Sequence, residues 1–546
     1  MSRISVRFRI KLESKAFVRD ATGLVREYGG LDALLFASAL VFALCYTTTQ
    51  FAWFYGNTGG ADLPSSLLLA MVPFLFLMVT YWVIGIVMPR TGNDYIWTGR
   101  IFHPAIGFVW SITYVFAVFF AGFVGAGLAE FSYAASIALT VLGLTSNASG
   151  LTNLGSFLGG SVGTFELGCV LVLVLGAFAI FGSRLIKGLL YVSWASAIIG
   201  TILMWYILGS VNTATFASNW NALLVPSLGS NATYQALEAA GVAGGYAPIP
   251  GFSAIVAALP LASLFLFGGN YANAFVGEIK NVRRSIPIAL FLSLIFGVIW
   301  WSITAALTLN AVGAHWMAAV GYAWDNGLSS YALPFPPSQP LMLAVAAYPN
   351  SVLIYLMMIT YLIGSLGAVF AYFWIPTKYM FAWAFDRVIP SKFADVNERF
   401  HTSILSIVAI MALSVVVLAA YLFLGWSSAF TLGTVLWGFS FVIPSLALVA
   451  FPYVKKDLFE QAPGFVKAKV ASIPLISIVG LITAISFAGI AYIAYITPAD
   501  VVPTTFGFEV TGIVVILGFA IYFASWSYHK REGLDISLAL KQIPPE

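Results

Sequence analysis

Little of this chain is charged. Asp, Glu, Lys and Arg make up 8% of its 546 residues, against 60% hydrophobic residues, and mean hydropathy is +0.94. Such a composition excludes a soluble globular protein, which has no interior large enough for that much apolar surface. Cysteine is nearly absent as well. Cys45 and Cys169 both sit in apolar stretches, which excludes a disulfide framework and offers no metal-ligand spacing. The first 30 residues are basic but contain no short apolar core followed by a small-residue cleavage site, so no cleaved signal peptide is expected. No Pro- or Ser-rich linker separates soluble domains. The net charge of +4 and pI near 8.8 would suit nucleic acid, but the placement of the bases assigns them to membrane topology and anionic lipid instead.

What the chain does contain is twelve apolar stretches, each near the ~20 residues that a spanning helix needs: approximately Leu31–Tyr55, Leu63–Met88, Ala105–Leu142, Phe165–Phe181, Gly188–Leu208, Phe252–Gly277, Ile286–Leu309, Ser351–Pro376, Ile404–Phe423, Ala429–Val454, Ile473–Ile496 and Phe508–Trp526. The third is too long for a perpendicular crossing, which predicts tilt or protrusion. All 25 Lys and Arg residues fall in alternate inter-span segments, from the arm Arg3–Arg26 to the tail Lys530–Lys541. By the positive-inside rule both termini are cytoplasmic and the base-free segments lie outside. The expected organisation is a basic arm (1–30), a membrane domain (31–528) and a cytoplasmic tail (529–546).

The sixth span with its flank reads LPLASLFLFGGNYANAFVGEIKNVRRSIP, and Gly268-Gly269-Asn270 falls at its middle. Each interior glycine costs roughly 1 kcal/mol relative to Ala in a helix. The pair suits either a discontinuous helix whose half-ends face a ligand or close helix packing. The centres of the spans hold no Asp, Glu, His, Lys or Arg. Asp32, Glu130, Glu166, Glu278 and Glu509 are expected at span ends, with Glu130 near the outer end of the third span and Glu278 beside Lys280, Arg283 and Arg284. Intramembrane ionisable groups are the usual proton carriers, so their absence favours sodium coupling or ion-independent exchange. A neutral site also argues against a strongly charged substrate. A cation could lean on Phe265, Phe267 or Trp374, although aromatics in spans more often simply pack.

Three segments carry a family resemblance. Gly277–Pro287, GEIKNVRRSIP, resembles the signature G-E-x-K-N-P-x-R-x-I-P that ends the sixth helix of amino acid–polyamine–organocation (APC) superfamily permeases, with Val282 for its first Pro. Met88–Arg100, MPRTGNDYIWTGR, is similar to the P-R-x-G-G-x-Y stretch after the second helix, with Asn93 for the second Gly. Lys378–Pro390, KYMFAWAFDRVIP, is similar to the segment just past the eighth helix, with Lys378 for an Arg. The resemblance implies an all-α polytopic membrane protein of twelve transmembrane helices. Its inverted five-helix repeats comprise helices 1–5 (about 31–208) and 6–10 (about 252–454), with two further helices at about 473–526. Helices 1 and 6 are broken, and substrate binds between the breaks, its carboxylate on exposed N–H groups.

The first span lacks the usual glycines. Leu44, Cys45 and Tyr46 stand there, followed by Thr47-Thr48-Thr49-Gln50. Threonine hydroxyls can bond local carbonyls and permit a break, or simply back-bond within an unbroken helix. The resemblance assigns substrate binding to Cys45, Tyr46, Thr47, Thr48 and Thr49, to Phe265, Phe267, Gly268, Gly269 and Asn270, and to Tyr114. A coupling sodium ion is expected at helix 1 carbonyls and Ser365. No metal centre or other cofactor is expected. The implied function is a plasma-membrane permease for amino acids or related organic nitrogen compounds, working by alternating access. The rivals are a permease-like sensor that binds without transport and a membrane-embedded energy-coupling subunit. The topology is directly testable: in a cysteine-free background, Ser227→Cys and Ser329→Cys should react with an impermeant thiol reagent from outside intact cells, and Ser285→Cys and Ser391→Cys should not.

Overall fold

The computed structural model of the chain describes residues 23–39, 47–249, 251–429, 432–497, 505–533 and 536. The first predicted span corresponds to α1 (Gly30–Ser38) and α2 (Thr47–Asn57), and residues 40–46 between them lie outside the described residues. Next come α3 (Leu63–Val87), a short α4 (Asn93–Ile101) and α5 (Pro104–Ala117). α5 runs on through a π-helical segment, Val118–Ala129, into α6 (Glu130–Ser146), making one helical stretch of 43 residues. This is the over-long third span, longer still than the sequence predicts. α7 (Ser149–Gly159), α8 (Ser161–Ile180) and α9 (Ser183–Gly209) follow, then α10 (Thr213–Leu228) and α11 (Tyr234–Ala243). The sixth predicted span consists of α12 (Phe252–Ala257), α13 (Leu259–Leu264) and a 3-10 segment, Gly269–Glu278. The remainder is α14 (Val282–Val312), α15 (Ala314–Asp325), α16 (Gln339–Ala347), α17 (Ser351–Phe385), α18 (Ile404–Phe423), α19 (Leu432–Val454), α20 (Lys456–Gln461), α21 (Leu475–Ile496) and α22 (Thr505–Arg531). Among the described residues, ten stretches are long and apolar enough to cross a membrane, and the only strands are the two-residue pair Lys469–Val470 and Ile473–Pro474. The protein is an all-α polytopic membrane protein.

Local chemistry sets many of the helix starts. Asp62 caps α3 by accepting from the Ser65 N–H at 2.9 Å, with proline in the first turn. Asn212 and Asn350 cap α10 and α17 in the same way. The sequence reading left α4, α7, α10, α11, α15 and α16 as loop. They are too short or too polar to register against the ~20-residue scale of a span; Asn212 and Thr233 cap α10 and α11, and burial holds α4, α15 and α16. Small residues bring the long helices together. Ser193 of α9 donates to Gly364 O of α17 at 2.8 Å and accepts from Gly367 N at 2.7 Å, the hydroxyl-and-small-residue packing common in membranes.

The two ends of the bundle are built from the two sets of inter-span segments. At one end Lys187 bonds Glu27 O at 2.8 Å and pairs with Asp32 at 3.3 Å, and Ser525 bonds Arg387 O at 2.8 Å. At the other, Asn57 bonds Asp325 at 2.5 Å, His315 meets Glu238 at 2.8 Å, and Trp316 donates to Tyr234 O at 2.9 Å. Ser227, Ser329 and Ser391 are exposed, whereas Ser285 is buried with its hydroxyl on Lys280 O. Position 391 therefore carries the inner side of the labelling test.

The base-rich end is tied by buried charge. Arg100 of α4 holds both oxygens of Asp386, just past α17, at 2.9 and 2.7 Å, with both side chains 1% exposed. Tyr95 donates to the same carboxylate at 2.9 Å. Lys378 of α17 reaches both oxygens of Glu278 at 2.6 and 2.8 Å. Removing one member of a buried pair leaves the other charge uncompensated, at about 3–5 kcal/mol. Arg100→Met should therefore lower the melting temperature in detergent markedly. Arg100→Lys, which keeps the charge but replaces the planar guanidinium with a shorter-reaching ammonium, should fall between it and the wild type.

Candidate functional site

The site is centred on the interruption in the sixth span. Helical hydrogen bonding ends at Leu264, Gly268 adopts φ 114° and ψ −21°, and the chain resumes as a 3-10 turn from Gly269. The two glycines act differently. Gly268 lies in the positive-φ region that side chains disfavour. At Gly269 an added Cβ would meet Met78 Sδ and Ser293 Oγ at 3.1 Å each, so its smallness serves close packing against α3 and α14.

Of the residues singled out in sequence, Asn270 and Tyr114 come together. Asn270 Nδ2 donates to the Tyr114 hydroxyl at 3.2 Å, and both side chains are buried. Tyr114 stacks on Trp110 at 5.6 Å and faces Tyr379 at 5.6 Å. Tyr379 donates to Asp94 Oδ1, and Tyr81 donates to Asp94 Oδ2 at 3.0 Å. A polar chain thus runs from the interruption to the first turn of α4. Burial pushes the Asp94 carboxyl up to about 6, with the Tyr379 and Tyr81 hydroxyls acting in the opposite direction. The sequence reading missed Tyr81, Asp94 and Tyr379. Asp94 lay inside a quoted motif, but the two tyrosines are single aromatics in apolar helices with no local signal.

Phe265 and Phe267 point to separate packing clusters. Phe265 meets Trp301 at 4.5 Å and Phe51 and Phe54 at 6.0 Å each. Phe267 meets Phe74 at 5.5 Å and Phe441 at 5.6 Å. The cation over Trp374 is the protein's own Lys378, 4.1 Å from the ring.

On the first span, Cys45 and Tyr46 lie outside the described residues, and Thr47 opens α2. Thr48 shares a hydrogen bond with the Tyr361 hydroxyl at 3.1 Å, and Ser365, one turn along α17, donates to Tyr361 O at 2.7 Å. Thr48 and Ser365 therefore meet at Tyr361, a residue the sequence reading did not name. Phe51, on the same helix as Thr48, packs against Phe265 at 6.0 Å.

One expectation is corrected. Glu130 is not at an outer helix end. It stands where the π segment passes into α6, and Thr49 of α2 donates to its Oε1 at 2.8 Å. The 43-residue stretch extends well beyond the level where α2 meets it, so position in the sequence misjudged depth. Glu278 closes the sixth span, Asn281 at φ 49° turns the chain into α14, and the Glu278 carboxylate meets Lys378 and Thr91.

An all-α bundle of membrane-spanning helices, one interrupted beside a buried Asn–Tyr pair and tied at one end by buried ion pairs, defines the class: a polytopic membrane protein with a broken helix in its core. The model of the amino acid permease family matches residues 33–519, and the chain belongs to that family. It is a transporter of amino acids or related compounds. No curated protein matches the chain.

The glycine pair generates a test. Gly268→Ala places a Cβ at positive φ, a strain of roughly 1–2 kcal/mol, and should abolish uptake of a radiolabelled amino acid mixture by proteoliposomes. Gly269→Ala presses mainly on a flexible methionine and should retain most of it, with both variants monodisperse on size exclusion.

Proposed function

We propose that this permease moves amino acids or related organic nitrogen compounds across the plasma membrane by alternating access, as a secondary transporter. The observation that carries the reading is the break at Gly268, beside Asn270 and Tyr114. Backbone groups released from helical hydrogen bonding must find partners in a membrane, and a substrate's carboxylate and ammonium suit such half-helix ends. On this reading α1 and α2 together form the first of twelve spans. The inverted repeats cover about 31–208 and 252–454, and the base-rich end faces the cytoplasm. The Glu278–Lys378 and Arg100–Asp386 pairs then form part of the inner closure, linking the sixth span, α4 and α17. They must shift or loosen for the inward-facing state to open.

Sodium coupling or ion-independent exchange completes the proposal. Ser365 and the helix 1 backbone are the sodium candidates, and Thr48 meets Tyr361 one turn from Ser365. A sensor that binds without transport would use the same break, so flux is the discriminating measurement.

The experiment is a thermal-shift screen of purified protein against amino acids and amines, followed by proteoliposome uptake of each hit under a sodium gradient, a pH gradient or internal substrate. Saturable uptake, driven by sodium or by counter-substrate, is expected. Binding without flux would support the sensor. Accumulation driven by a pH gradient and abolished by a protonophore would overturn the coupling proposal.

A further inference from the structure

Glu130 is used by none of the contacts described above except that with Thr49. Its Oε1 accepts from the Thr49 hydroxyl at 2.8 Å, while its Oε2 is enclosed and has no hydrogen-bond partner. Among the described residues it forms no ion pair. Its depth follows from its neighbours. Thr48, adjacent to Thr49, meets Tyr361, which lies about 15 Å along α17 from the start of that helix. That is about half the ~30 Å hydrocarbon thickness. The residue sits at the end of the 12-residue π segment, and π turns re-aim side chains and recur at functional sites. An ionised carboxylate at this depth with one oxygen unsatisfied is costly unless a cation joins it.

We infer that Glu130 is the counter-charge for a second ammonium on the substrate, beyond the one the half-helix ends hold, so that the compounds carried include cationic ones: diamines, or amino acids with a side-chain amine. This rests on the permease reading and narrows its substrate class. The chemistry around the carboxylate favours an ammonium. Oε2 is enclosed and unpartnered, so it can take a single directed hydrogen bond. An ammonium donates directional hydrogen bonds and accepts an aromatic face. Tyr133 lies one turn along α6 from Glu130, and Phe120 of the π segment packs on Tyr421 of α18 at 5.9 Å. Thr49 holds the carboxylate from α2, the helix whose Thr48 meets Tyr361 and whose Phe51 packs on Phe265, five residues before Asn270.

The test uses the full chain in proteoliposomes with L-lysine, putrescine and neutral L-norleucine as probes, comparing wild type, Glu130→Gln and Glu130→Asp. Gln keeps an acceptor for Thr49 and removes the charge, and size exclusion with a melting curve checks that each variant is folded. The wild type should take up L-lysine or putrescine. Glu130→Gln should weaken apparent affinity for them at least about tenfold, the scale of a lost buried charge pair, with norleucine handling little changed. Glu130→Asp should recover part of the loss. Uptake of norleucine but of neither cation would leave the permease reading intact and overturn the assignment of Glu130, as would unchanged cation affinity in Glu130→Gln. Loss of norleucine uptake in Glu130→Gln, together with protonophore sensitivity in the wild type, would make Glu130 a proton carrier and likewise overturn it. Flux of no probe and of no screened amino acid would count against the permease reading itself.

Discussion

A charge inside a bilayer has to find its opposite. In water an exposed ion pair is worth about 0–1 kcal/mol, but a buried ion left alone costs several. The rest of this structure follows from how few charges enter the membrane domain and where they are paired. Glu278 with Lys378, and Arg100 with Asp386, lie at the base-rich end. They join the end of the interrupted sixth span, the short helix α4 and the C-terminal end of α17, three elements far apart in sequence. The three motif segments, Met88–Arg100, Gly277–Pro287 and Lys378–Pro390, are thereby parts of one assembly. Thr91, Arg100, Glu278, Lys378 and Asp386 are its contacts.

That assembly gives the interruption at Gly268 something firm to work against. A helix freed of its hydrogen bonds in mid-membrane needs polar partners, and here the Asn270–Tyr114 bond and the adjoining chain through Tyr379, Asp94 and Tyr81 run down to α4. Asn273, in the same 3-10 segment, donates to Asn93 Oδ1 at 3.0 Å and to Tyr81 O at 2.8 Å. Polar side chains from the interrupted span and from the segment after α3 thus share one network. The break and the base-rich end are thus linked by the hydrogen bonds of Asn273 to Asn93 and Tyr81 and by the ring contact of Tyr114 with Tyr379.

Much of the architecture was legible in the chain. Apolar length and the one-sided placement of bases are local properties that the membrane enforces residue by residue, and ten of the long apolar helices appear where hydropathy puts them. The short helices between spans were not legible, because their stability comes from caps and burial rather than from apolar length. For the site, the glycine pair left a break and close packing open, and the structure uses both: Gly268 takes a positive φ and Gly269 packs against α3 and α14. The partners of the break were not written there. Tyr81, Tyr361 and Tyr379 are ordinary aromatics in apolar helices until the fold aims their hydroxyls at Asp94 and Thr48.

The sequence by itself determined that this is a many-helix membrane protein and that its sixth span carries a glycine pair that either a break or close packing would use. These follow from hydropathy, charge placement and glycine, each acting over a few residues. Only the tertiary structure decided which charges meet. Lys378 could have remained a solvated base beyond its span, and Glu130 a carboxylate at an outer rim. Depth along a 43-residue helical stretch and pairing across about a hundred residues are fixed by packing. Packing is the quantity that a local pattern does not contain: it depends on where several helices meet, not on what any one of them is made of.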